Sequence, residues 1–144
     1  MASNFFDKNI EDVSVTNPIV VTLSNFSAGG ITSFVFFQLK NISIEGLALT
    51  PVPQYLTVNA TAGSTNVTAA NVVQTCIGHL RLKYQNDIVY YYEASKEEGD
   101  VISPIKLPAG TTVLTLTLKD QGGANISVPV NFQNVYWSAR IVGL

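Results

Sequence analysis

A chain of 144 residues with 47% hydrophobic and 12% charged side chains is long enough for one domain with a substantial core, and carries about half the usual charged share. The net charge is −2, and the basic residues Lys8, Lys40, Arg81, Lys83, Lys96, Lys106, Lys119 and Arg140 are scattered, which argues against a nucleic-acid partner. Cys76 is alone, so no intrachain disulfide can staple the fold, and no run approaches the roughly 18–20 apolar residues of a membrane helix.

The first segment, residues 1–16 ("MASNFFDKNIEDVSVT"), lacks the basic and apolar regions of a secretory signal. Its mixed charges between Phe5-Phe6 and Ile10/Val13 predict a short N-terminal arm or one or two helical turns ahead of the domain proper, residues 17–144. Two adjacent phenylalanines in a free tail would be an exposed apolar liability. Phe5 and Phe6 are therefore expected to sit in a pocket, on the parent domain or on a neighbouring copy or shell protein. An arm of this kind could be removed through Asp12 without unfolding the domain.

From residue 17 onward strand signals recur. "NPIVVTLSNF" is β-branched and stops before Ala28-Gly29-Gly30. "ITSFVFFQLKNISIEG" follows; simple alternation puts Phe34 and Phe36 on one face and Val35 and Phe37 on the other, apolar on both sides. "QYLTVNA" begins after Pro51 and Pro53, and the small polar run Asn59–Asn71 reads as a loop or an edge. "VVQTCIGHLRLKYQ" and "IVYYYEAS" flank Asn86-Asp87, a tight-turn signal, and "KEEGD" forms a second turn. In "TTVLTLTLKD" Leu114, Leu116 and Leu118 share one face, with Val113, Thr115 and Thr117 on the other. Gly122-Gly123 then turn the chain toward "NISVPVNF", and "VYWSARIVGL" forms the last strand.

The spacing predicts an all-β fold: a single antiparallel β-sandwich of about eight or nine strands, jelly-roll in preference to immunoglobulin-like. Chemistry is scarce. His79 is the only histidine, so any nucleophile–histidine mechanism must pass through it. Its nearest candidate, Cys76, lies an odd step away along a strand, on the opposite face unless Gly78 admits a bulge. Glu93, Glu97, Glu98 and Asp100 could offer oxygen ligands to calcium, but Lys96 sits among them and the alternating ladder of a calcium loop is missing, so a solvated turn is preferred. The expectation is a non-enzyme without catalytic residues, metal or cofactor.

Aromatic side chains are the remaining candidates for contact. Along a strand Tyr90 and Tyr92 share a face with Ile88, while Tyr91 lies with Val89 and Glu93 on the other. Of Tyr136 and Trp137 only one can face the core. Phe5, Phe6, Tyr90, Tyr92 and Trp137 are the candidate interface or ligand-contact residues, with packing against another subunit preferred over stacking on a glycan.

No Asp, Glu, Lys or Arg occurs from Val13 to Leu39 or from Gly46 to Leu80, leaving Thr, Ser and Asn to cover those surfaces. That composition points to a structural protein of a virion or another extracellular assembly, without a signal peptide: a minor capsid, cement or decoration subunit. Its partners would be further copies of itself, a major capsid or shell protein, or both. A glycan-binding module or fibre head is the alternative, and a filament or pilus subunit the second.

Overall fold

The computed structural model describes residues 6–23, 34–47, 52–63, 73–85, 89–108, 110–128 and 130–144. Phe5, the turns expected at Ala28–Gly30 and Asn86-Asp87, and the latter part of the run expected as a loop, residues 64–71, lie outside them. The described residues form nine strands: β1 (Phe6–Ser14), β2 (Ile19–Thr22), β3 (Phe34–Leu47), β4 (Tyr55–Gly63), β5 (Val73–Gln85), β6 (Val89–Ser95), β7 (Ile105–Lys106), β8 (Val113–Asp120) and β9 (Phe132–Gly143). There is no α-helix among the described residues. All pairings are antiparallel, in the order β1-β9-β3-β6-β5-β4-β8-β2, with β7 on β3.

β1 and β2 follow one another in the chain yet stand at opposite ends of this path. The sheet must therefore curl until its two edges approach, giving a nearly closed, barrel-like wall. The all-β class and the strand number expected from the sequence are found. Each strand turns one set of alternate side chains inward, and these sets merge into a single core that includes Leu39, Ile42, Leu56, Leu80, Leu116, Val135 and Ile141. Leu114, Leu116 and Leu118 of β8 all lie in it, with the threonines between them outside, as period-two alternation requires.

Two segments differ from the sequence reading. Residues 6–14 are neither arm nor helical turn but strand β1, paired along its whole length with β9. The reason is a single inward side chain: Ile10 enters the core opposite Ala139, while the charged neighbours stay in water. Residues 59–63, expected as loop or edge, are the second half of β4, which is hydrogen-bonded on both sides, to β5 and to β8. Ala60 and Ala62 are buried there; their small size lets the wall bend over a crowded interior.

Register shifts interrupt the ladders at five places among the described residues, three of which bear on the sequence reading. Between Phe34 and Phe36 the register with β9 slips, so Val35 is the extra residue and both Phe34 and Phe37 turn inward, contrary to simple alternation. Lys40 is extra between Leu39 and Asn41. On β5, Ile77 is extra between Cys76 and Gly78. As a result Cys76 and His79 are both exposed, where uninterrupted alternation would have separated them.

The corner between β1 and β2 is tied to β8 by the Asn17 side chain. Pro18 has no N–H and cannot extend the β2·β8 ladder beyond Ile19↔Leu116. Asn17 replaces the missing rung with its amide: the Leu118 N–H donates to Oδ1 (2.9 Å), and Nδ2 donates to the carbonyls of Leu118 (2.9 Å) and Ile126 (2.8 Å). Removing it takes the partner from the Leu118 N–H and the Asn17 donor from the Ile126 carbonyl in a half-buried position, while the Leu118 carbonyl keeps the Ile126 N–H (3.2 Å). Asn17→Ala is expected to lower unfolding free energy by about 2–4 kcal/mol in a urea titration. A loss below about 0.5 kcal/mol would show that water replaces the amide there.

Candidate functional site

The residues singled out by sequence are mostly interior. Tyr92 is 0% exposed; its ring lies 6.0 Å from that of Phe132, and its hydroxyl donates to the Pro53 carbonyl at 2.7 Å. Burial, with a smaller contribution from neighbouring Tyr90, pushes the Tyr92 phenol up to about 12. Tyr90 is buried on the same inward face. Trp137 is buried and tilted against Phe37 (6.4 Å), with no hydrogen-bond acceptor for its indole N–H among the described residues. Phe6 is half-buried, edge-on to Phe34 at 6.0 Å. Tyr90, Tyr92 and Trp137 therefore present no ring to solvent, and the exposed aromatics next to them are Tyr91 and Tyr136.

Cys76 and His79 share the outer face but are engaged separately. The Cys76 Sγ lies 3.9 Å from the Gly78 carbonyl, and the His79 ring packs at 5.5 Å on Tyr55. The acidic turn after β6 is tied to β5. Asp100 accepts from the Ser95 N–H (3.0 Å), from Lys83 (3.4 Å) and from Arg81, and Glu98 accepts from Lys83 (3.1 Å). The Ser95 amide first, then Lys83 and Arg81, hold the Asp100 carboxyl below its usual range. Among the described residues no group of three or more His, Cys, Asp or Glu is placed to hold a metal ion.

Two outer surfaces remain. On β1, β9 and β3 the outward rows are Val13–Tyr136–Ser43 and Glu11–Ser138–Asn41, adjoining the Lys40 bulge. Glu11, Asp12, Val13, Asn41, Tyr136, Trp137 and Ser138 line an open depression of about 410 Å³ here. Tyr136 is 54% exposed and Val13 47%, so an aromatic ring with an aliphatic neighbour borders a rim of carboxylate, amide and hydroxyl groups. Sequence alternation could say that one of Tyr136 and Trp137 faces out. It could not say which, because nothing local marks the side on which the opposing strands lie.

The second surface covers β2, β8 and β4. Its outward rows are Val20–Thr115–Thr61, Thr22–Val113–Gly63 and Thr117–Asn59, with Thr57 and Lys119 at one end. Up to that end there is no charge, and Val20 stands 61% exposed. The threonines follow from the fold: β-branched side chains suit a pleated wall, and a hydroxyl is the least polar group that keeps it wetted. Comparison of the sequence with models of known protein families and with curated proteins finds no match.

Proposed function

We propose that this protein is a non-enzymatic structural subunit of a virus or phage particle, of the minor capsid, cement or decoration kind, working through protein–protein contacts, and that its barrel is a jelly roll. The topology supports the second part. Setting β7 aside, the pairs are nested: β1 with β9, β2 with β8, β3 with β6, β4 with β5. A long antiparallel hairpin wound once around a barrel produces this nesting, with β1-β9-β3-β6 and β5-β4-β8-β2 as its two halves. Jelly rolls occur in viral capsid and lectin domains, so the fold narrows the choice without making it.

The observation that carries the assembly reading is the uncharged β2-β8-β4 face. Soluble domains keep both signs of charge spread over their surface, and the centres of protein interfaces are where charge is depleted. A face of Thr, Val and Asn, uncharged from the Val20 row to the Asn59 row, suits contact with another subunit. Negative-stain images of the concentrated chain, alone and mixed with candidate shell proteins, should show regular assemblies; uniformly dispersed single chains in every case would speak against the reading.

The depression beside Tyr136 favours a second reading, a glycan-binding module. A half-exposed ring to stack on a sugar, with Glu11, Asn41 and Ser138 able to bond its hydroxyls, is a workable arrangement. Titration with simple sugars, comparing the protein with Tyr136→Ala, separates the two: saturable binding lost in the variant favours the lectin.

A further inference from the structure

We propose that two copies of the chain join through the free edges of β1, antiparallel about a two-fold axis at Ile10, so that one sheet runs through both barrels. This rests on the assembly reading and adds to the β2-β8-β4 face a second contact, between copies of the chain.

β1 pairs with β9 on one side, and no described strand pairs with its other side. An unpaired edge of nine residues invites pairing with another chain unless something blocks it. β1 bears four charges, Asp7, Lys8, Glu11 and Asp12. Asp7 is taken by Arg140, whose guanidinium donates through Nε (2.9 Å) and Nη2 (2.6 Å) to its two carboxylate oxygens. Lys8, Glu11 and Asp12 have no ion-pair partner among the described residues. Lys8 and Asp12 are also on the parity of Ile10, the inward face; Asp12 Oδ1 accepts from the Val13 N–H (2.8 Å), which leaves its charge without a cation.

Self-pairing gives these charges a use. A two-fold axis perpendicular to the sheet keeps the Ile10 faces of both copies on the same side, which requires the axis to pass through a residue position. Centring on Lys8 sets that lysine against its own copy. Centring on Asn9 sets Asp7 against the partner's Glu11, twice. Centring on Glu11 or on Asp12 opposes each acid to itself. Centring on Ile10 opposes Lys8 to the partner's Asp12 twice, Asn9 to the partner's Glu11, and Asp7 to the partner's Val13, with no like-charge pair. It is also the register in which the whole of Phe6–Ser14 overlaps. Directly opposed unlike charges stabilise a strand pair and like charges oppose it. Among the residue-centred registers that overlap at least five residues of β1, this one alone has no like-charge pair, and its neighbours repel, which is specificity by repulsion as well as attraction.

The test is a charge exchange on the full chain, followed by sedimentation equilibrium. Lys8→Asp and Asp12→Lys each turn two attractive pairs into repulsive ones. Both positions are exposed, and far-ultraviolet spectra check that the barrel is retained. Each single variant should weaken self-association roughly tenfold or more. The double variant should associate like the parent. An equimolar mixture of the two single variants should form a heterodimer, because one chain then carries acids at both exchanged positions and the other carries lysines at both. If the parent associates but the single variants do so equally well, the β1 contact is wrong while assembly by another face stands. If the parent is a monomer throughout the concentration range, the β1 contact and self-assembly fail together.

Discussion

Tyr92→Ala is expected to cost about 3–5 kcal/mol of stability in a denaturant titration, and Tyr91→Ala less than about 1 kcal/mol. The two residues are neighbours in a run of three tyrosines, yet Tyr92 is 0% exposed and Tyr91 39%. Removing Tyr92 opens a cavity beside Phe132 and leaves the Pro53 carbonyl without its hydroxyl donor. Tyr91 stands on the exposed outer face of β6, where its removal opens no buried cavity. If both variants lose the same stability, the strand does not alternate as described. Tyr92→Phe adds a pH signature. The phenol's folded value, about 12, lies above the ordinary value near 10, so this contribution is fully present below about pH 10 and is lost as pH rises toward 12, where only the unfolded state has released the proton. Parent stability should fall more steeply across that window than that of the phenylalanine variant. Parallel curves would show that burial does not hold the phenol neutral.

Deleting residues 1–14 is expected to destabilise the domain by at least about 3 kcal/mol, a large part of the ~5–15 kcal/mol typical of a folded domain. An arm could be removed without that cost. β1 instead contributes the buried Ile10, worth about 1.5–3 kcal/mol by itself, together with the Phe6–Phe34 contact. Its loss would also turn β9 into an edge and uncover the side of Trp137 and Ala139. Urea unfolding of the truncated chain checks this, and a midpoint equal to the parent's would return residues 6–14 to the status of an arm.

The contrast between β8 and β1 shows how far the residues could be read without coordinates. In β8 every second residue from Leu114 to Leu118 is leucine, and the wall buries that face continuously, so alternation alone identifies strand and core side. β1 buries a single side chain among charged and polar ones, because an edge strand meets the interior only where the wall curves over it; four charges in nine residues then resemble an arm or a helical turn more than a strand. The parities of Phe36, Phe37, Cys76 and His79 were illegible for a different reason. Each depends on a bulge, and a bulge is set by the neighbouring strand's register, which no local pattern encodes. The same limit hid the outer depression: Glu11, Asn41 and Ser138 come from three strands far apart in sequence, and only the register brings them together. The charge-poor stretches, by contrast, were visible from composition, and they became much of the β2-β8-β4 face.

The claim that this domain works by assembling is tested most directly by its mass in solution. Light scattering on the purified full chain, over a dilution series from the highest attainable concentration, should give a mass that rises above the 15.5 kDa of one chain to a multiple of it as concentration increases. A mass that stays at 15.5 kDa throughout the series would contradict self-assembly.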